Sequence, residues 1–344
     1  MTTIAATPAM AAPVSAASRI AKAIVILTLI LLASFAVGLT VGAQHIDLAN
    51  LFSDALSRTL FFRLRLPRVL LGMVIGASLA VTGGSLQALF RNPLADPYTL
   101  GVSGGGALGA SVAIALGWGA RVAGVPLIFA ASFAGAMLAV SVVRFIARTG
   151  AVILPGALLL SGVAVNLIGA AGVLSIQYVI DPTSALRILR WLIGSLDVVG
   201  LEPVGRMLIV LAPAWLALLA LSRQLNLLAI DEDTAATLGI NVRRCESLVH
   251  ALCALIVGVT VSVGGSIGFV GLIVPHVVRL MFGEDLRIVL PGSLLLGAAF
   301  LVLADALARV ALPSNELPVG AITGLIGGPV FLWLLRRRQQ YAAM

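Results

Sequence analysis

Lysine is almost missing from this chain: Lys22 is the single lysine among 22 Lys and Arg residues. A Walker-type phosphate loop needs a lysine to reach the β- and γ-phosphates. The Gly-rich run GVSGGGALGASV (101–112) therefore lacks what such a loop requires, and no ATPase site is expected within the chain. Glycines at this density suit close packing of helices in a membrane instead. Cysteine is scarce as well, and Cys245 and Cys253 do not form a metal-ligand pattern or a disulfide framework, so they read as packing residues. His45, His250 and His276 are scattered without an HExxH spacing, which leaves no hydrolytic metal site. Carboxylates at membrane depth are also missing. Of 14 Asp and Glu residues only Asp305 lies well inside an apolar run, and Arg309, four residues on, offers it a helical ion pair. A carrier driven by an ion gradient would keep such groups for its coupling ion, so ion coupling is poorly equipped here.

Charge of either sign is thin, at 10% of residues against about 25% in soluble globular proteins. With 60% hydrophobic residues and a mean hydropathy of +1.12, the chain is a polytopic membrane protein. Its formal charge of +8 would suit nucleic acid, but no basic stripe continues along a predicted helix, and no nucleic-acid partner is expected. Residues 1–18 lack an apolar core, and the run 23–42 after Arg19 and Lys22 exceeds the roughly 7–15 apolar residues of a signal peptide. It reads as a retained first span. Apolar runs near 23–42, 67–87, 93–110, 122–144, 157–178, 203–221, 247–266, 269–283, 290–308 and 318–335 predict about ten helices. The organisation is then a tail (1–22), one membrane domain (23–335) and a second tail (336–344). An even number of crossings puts both termini on one side. Arg144, Arg148, the 223–244 stretch and Arg336, Arg337 and Arg338 make that side the cytoplasm. Arg58, Arg63, Arg65 and Arg68 break the rule by falling outside, which asks for a partner there.

ASLAVTGGSLQALFRNPLADPYTLG (77–101) resembles VTVSVGGSIGFVGLIVPHVVRLMFG (259–283), with Gly83, Gly84 and Ser85 aligned on Gly264, Gly265 and Ser266. The copies run in opposite directions in the span count, as an inverted repeat suited to alternating access does. Pro93, Pro97 and Pro275 should break or kink their helices where protein surrounds them. Between the sixth and seventh spans, NLLAIDEDTAATLGINVRR (226–244) is the longest charged break. Asp231, Glu232 and Asp233 suit a helix N-terminus, and Gly239 followed by Arg243 and Arg244 suits its end. A short cytoplasmic helix there is either a solvated loop or a docking point for a separate motor.

These stretches together resemble the FecCD/BtuC family of permeases of ATP-binding-cassette importers. The motifs are RLPR (65–68), QALFRNPLADPYTLGVSGG (87–105), LLLSG (158–162), WLIGSL (191–196), NLLAIDEDTAATLG (226–239), GGSIGFVGLIVPHVVRL (264–280), VLADALAR (302–309) and ELPVGAITGLIGGPVFLWLL (316–335). The resemblance implies an all-α bundle of ten spans in the bacterial inner membrane, importing a metal chelate such as a ferric siderophore, haem or cobalamin. It implies a homodimer with two cytoplasmic ATPase subunits, which bind the ATP and Mg, and one periplasmic binding protein. Arg65, Arg68 and Arg309 match the arginines that receive acidic residues of the binding protein. Asp231, Glu232, Asp233, Ala235, Leu238 and Gly239 match the helix that fits the ATPase, and Leu154, Pro155 and Gly156 match the cytoplasmic gate. Gln87, Asn92, Pro93, Pro275, His276 and Arg279 match positions of structural use. One departure stands out: the family often has glycine where this chain has Asp231, which puts the helix start and the fit to a foreign ATPase in question. An ion-coupled secondary transporter and a signalling subunit are the rival readings.

Overall fold

The computed structural model describes residues 16–42, 54–122, 124–149, 152–153, 155–312 and 316–342. Among these, the seven long apolar helices are the segments Ser18–Thr40, Ala55–Leu89, Leu127–Ala147, Gly156–Val179, Glu202–Ala220, Val242–Gly264 and Leu286–Val310. Three shorter ones, Val102–Ala115, Val270–Phe282 and Val319–Trp333, bring the described apolar helices to ten, so the bundle is all-α and polytopic.

In chain order, α1 is Ala16–Thr40, α2 is Ala55–Thr59, and a π-helical turn at Leu60–Arg65 leads into α3, Leu66–Leu89. Then come α4 (Val102–Ala115), α5 (Leu127–Ala147), α6 (Pro155–Val179), α7 (Pro182–Ile193) and α8 (Glu202–Ala220). The chain finishes with α9 (Ser222–Ile230), α10 (Glu232–Thr237), α11 (Val242–Gly264), α12 (Val270–Phe282), α13 (Leu286–Val310) and α14 (Val319–Ala342). Two antiparallel pairs of two-residue strands, Arg121–Val122 with Val125–Pro126 and Arg148–Thr149 with Val152–Ile153, tighten the connections on either side of α5.

Burial follows hydrophobic patterning. α3 is apolar or small on every face and is enclosed from Val74 to Leu89, apart from no more than a fringe at its start, so it forms the axis of the bundle. It packs most extensively on α13, while α11 packs on both α3 and α5. α1, by contrast, exposes Val25, Leu29 and Leu32, as a helix facing lipid does.

The element boundaries differ from the sequence expectation where local chemistry competes with apolarity. The third run was expected from 93, yet α4 starts at Val102. Pro93 and Pro97 lack N–H groups, Asp96 caps a one-turn 3-10 helix (Pro97–Leu100), and Gly101 turns left-handed at φ 80°. Residues 55–65, which precede the expected second span, are helical, and Asp54 caps them by accepting from the N–H groups of Leu56 and Ser57 at 3.1 and 2.9 Å. α14 runs beyond the expected tail boundary at 335, since Arg and Gln sustain a helix after the apolar run ends.

The middle of the bundle is where the two repeat copies meet. α3 and α12 cross so closely at Gly83 and Gly271 that a side chain on either would strike the other's backbone or a proline ring. Pro275 cannot donate to the carbonyl of Gly271 four residues earlier, and Gln87 Nε2 donates to Gly271 O and Leu272 O, at 3.2 Å each. Tyr98, in the first break, exchanges hydrogen bonds with the backbone O and N of Ile267, in the second, at 2.9 Å. Ser103 and Ser266 pair at 2.9 Å. Asn166 on α6 accepts from Gly104 N at 2.8 Å, capping α4 from a neighbouring helix, and donates to Tyr98 O at 2.8 Å. Non-helical backbone at this depth is tolerated because each break satisfies the other. Replacing Gln87 by Leu is expected to destabilise the protein by about 1–3 kcal/mol through the orphaned Gly271 carbonyl. Thermal unfolding in detergent measures this, and an unchanged midpoint would remove Gln87 from the account.

Candidate functional sites at the two ends of the bundle

At one end, α1 finishes, the π turn leads into α3, and α13 finishes, which brings Arg65, Arg68 and Arg309 together. They do not form an open patch. Arg309 is 4% exposed and donates to Gly38 O at 2.9 Å, while its Nε lies 3.0 Å from Asp305 Oδ2. Arg65 is 9% exposed and reaches Leu39 O at 3.4 Å. Arg68 is the most accessible of the three, and it holds three carboxylates: Asp305 at 3.0 Å, Glu316 at 2.6 Å and Asp197 at 3.3 Å. Asp305 is enclosed between Arg68 and Arg309, so the helical Asp305–Arg309 pair is present and is one side of a larger cluster. Asp197 and Glu316 remain exposed on its rim. Arg58 and Arg63 are exposed. The π turn widens the helix by one residue per turn at the arginines, and Gly200 N donates to Arg63 O at 2.9 Å, which fastens the 194–201 loop over this end.

At the opposite end, α10 forms from the charged break. Asp231 adopts an extended backbone and its carboxylate accepts from Thr234 N at 2.9 Å and Thr234 Oγ1 at 3.0 Å. Asp231 thus supplies a side-chain N-cap to α10. The Thr234 N–H, then its hydroxyl, hold this carboxyl below the ordinary carboxylate range. A depressed folded-state pKa means the contribution is present at neutral pH and is lost only as pH falls through that low value. Ala235 is buried against the bundle, Leu238 is 63% exposed, and Gly239 ends the helix at φ 85°. Glu232 and Asp233 occupy the first turn, and Glu232 pairs with Arg91.

Beside α10 a cavity of about 920 Å³ opens, lined among others by Gln87, Arg91, Asn226, His276, Arg279 and Phe331. Arg279 donates to Gln87 Oε1 and lies 3.2 Å from Glu284. Asn92 closes the turn after α3 by accepting from Leu94 N at 3.0 Å, Pro93 lines the cavity, and Pro275 lies against Gly84. A second cavity of about 310 Å³ at mid-depth is lined by Tyr98, Asn166, Phe269 and Phe331 among others. Of the expected gate, Leu154 lies outside the described residues, Pro155 opens α6, and Gly156 is exposed with open space where a Cβ would stand. Cys245 and Cys253 are buried free thiols, and no group of metal-ligating side chains occurs among the described residues.

Asp197, Glu316, Arg91 and Asn166 were not singled out from the sequence. Three of them sit inside or beside quoted motifs, yet their partners lie far away in the chain, as with Arg68 and Glu316 at a separation of 248 residues.

The fold is that of a solved inward-facing metal-chelate-type ABC transporter, with a TM-score of 0.80 and 31% identity over 92% of this chain and 99% of that one. The cobalamin import system permease protein BtuC of Halobacterium salinarum is 46% identical over 277 residues, 80% of this chain and 73% of that protein. The hemin transport system permease protein HmuU of Yersinia pestis is 38% identical over 91% of this chain and 95% of its own length. These likenesses define a class, the membrane-embedded permease subunits of ABC importers, whose ATP hydrolysis resides in separate subunits. Within that class the chain belongs to the FecCD transport family, whose sequence pattern matches residues 28–337.

Proposed function

We propose that this chain moves a metal chelate, of the cobalamin or haem type, inward across the plasma membrane by alternating access, with both termini cytoplasmic. The observation that supports the reading is the crossing of α3 and α12 in the middle of the bundle, where the breaks around Tyr98 and Ile267 hydrogen-bond to each other. Two halves so joined can rock about a shared polar crossing without leaving backbone unpaired in the membrane. Two copies pair through the exposed apolar faces of α6 (Leu160, Leu167, Ile168) and α14 (Leu325, Leu332), and the path runs between them. ATPase subunits, holding ATP and Mg, seat on α10, and residues 154–156 gate the cytoplasmic end. The chelate enters from a periplasmic binding protein docked at the arginine end. No covalent chemistry takes place in this chain.

Proteoliposomes containing the chain with its cognate ATPase and binding protein are expected to accumulate labelled cyanocobalamin or haemin only with ATP. Uptake driven by a pH gradient without the ATPase would overturn the reading in favour of a secondary transporter. Asp305 is engaged by two arginines, which supports the ATP-driven reading, because it is not free to carry a coupling ion.

The docking surface centres on Arg68, with Arg65 and Arg309 beneath it and Arg58 and Arg63 extending the positive field. Carboxylates of the binding protein then compete with Glu316 and Asp197 for Arg68. Neutralising those two, as Glu316→Gln and Asp197→Asn, should tighten binding-protein affinity by about two- to fivefold each, the scale of an exposed ion pair. Arg63→Glu should weaken it. Surface plasmon resonance against the detergent-solubilised complex reads both, and weaker binding after Glu316→Gln would count against displacement at Arg68.

A further inference from the structure

α3 ends in a Schellman turn: Asn92 N donates to Gln87 O at 3.1 Å and Arg91 N to Ala88 O at 3.2 Å. The residue that must turn left-handed in this motif is usually glycine, since a side chain there is strained. Here it is Arg91, at φ 51°. Besides Phe269, it is the one non-glycine described residue with positive φ. Its guanidinium pairs with Glu232, the first residue of α10, 141 positions along the chain. A residue that costs backbone energy and makes one distant ion pair is placed for that pair.

The turn that carries Arg91 is stitched to the middle of the bundle. Asn92 O accepts from Ala95 N at 3.1 Å and Asp96 Oδ1 accepts from Tyr98 N at 2.8 Å. Tyr98 in turn holds the second break through Ile267 and holds α6 through Asn166. A path of polar contacts and the short stretches of backbone between them therefore runs from α10, through Arg91, to the mid-depth crossing and to α6.

We propose that the Arg91–Glu232 pair is the tie that transmits movement of α10 to the crossing and to α6, making Arg91 a positioning residue for transport. The inference rests on the reading of α10 as the ATPase seat. When the ATPase subunits draw α10, the 90–96 turn travels with it as one body, and Tyr98 passes the displacement to both breaks.

The test separates charge from backbone. In proteoliposomes with the cognate ATPase and binding protein, using cyanocobalamin or haemin, whichever wild type accumulates, the readout is substrate moved per ATP hydrolysed. Arg91→Gly should be at least as thermally stable as wild type, because it relieves the left-handed strain, yet lower this ratio about tenfold, a usual size for a coupling free energy. Arg91→Lys should keep the ratio within about threefold, and the exchange Arg91→Glu with Glu232→Arg should recover what either single change loses. A second measurement needs no substrate. Spin labels at Leu94→Cys and Leu238→Cys should keep one separation between nucleotide-free and vanadate-trapped complexes, and lose that constancy in Arg91→Gly. A wild-type ratio in Arg91→Gly, or a label separation insensitive to it, overturns the tie. A wild-type complex in which ATP hydrolysis drives no uptake overturns instead the permease reading beneath it.

Discussion

Asp305→Ala is expected to destabilise the protein by about 3–5 kcal/mol, the range for removing one partner of a buried ion pair. The carboxylate is 1% exposed and lies against Arg68 and Arg309, each at 3.0 Å. Arg68 keeps Glu316 and Asp197 after the change, both at the rim, so its charge stays compensated. Arg309 does not. It is almost enclosed, and it also donates to the carbonyls of Gly38 and of residue 305 itself. The cost therefore falls on Arg309, and the double change Asp305→Ala with Arg309→Met should recover much of it, since an apolar pair leaves no buried charge. Thermal unfolding of the purified protein in detergent, followed for both single variants and the double, measures the coupling. Additive losses would show that the two side chains stabilise the fold independently.

Gly83→Leu should prevent assembly of a stable bundle, a loss of about 4 kcal/mol or more of the kind that only severe packing conflicts produce. A Cβ at position 83 would overlap the carbonyl group and Cα of Gly271, all of them backbone, which cannot swing aside as a side-chain tip can. α3 and α12 would have to separate. Gln87 would then lose both of its carbonyl partners, so the steric conflict is compounded by unpaired polar groups at membrane depth. The monodisperse peak in size-exclusion chromatography is expected to disappear. Gly205→Ala in α8, where nothing lies within 4 Å of the added carbon, should leave it unchanged. A Gly83→Leu protein that elutes as wild type would mean that the crossing is looser than its geometry states.

The helices were legible because membrane spans announce themselves by length and apolarity, and their number and order follow from that alone. The short helices were less so. α7 and α9 lie outside the expected spans because their residues are mixed, and their helicity depends on packing against the bundle as well as on caps such as Asp181, which accepts from Ser184 N at 2.9 Å. The arginines at one end were legible as an anomaly of charge placement. The Asp305–Arg309 pair was legible from its helical spacing, but the partners of Arg68 were not, since nothing local in 305–316 or 195–197 signals a contact with Arg68 more than 100 residues earlier. Arg91 carries a faint signal in retrospect: a helix-ending turn followed by Asn-Pro asks for glycine, and the absence of glycine there marks a residue kept for its side chain.

The mid-depth crossing also has a consequence for biogenesis. Gln87 and its acceptor Gly271 are separated by 184 residues, so at about 5–20 residues per second the ribosome needs roughly 10–40 s after Gln87 to supply the carbonyl it pairs with. During that interval the Gln87 amide is without the Gly271 and Leu272 carbonyls that later accept from it. The same delay applies to Tyr98 and Ile267, 169 residues apart. The early half of the chain is thus a waiting intermediate, and the order in which its helices leave the insertion machinery becomes part of what determines the final fold.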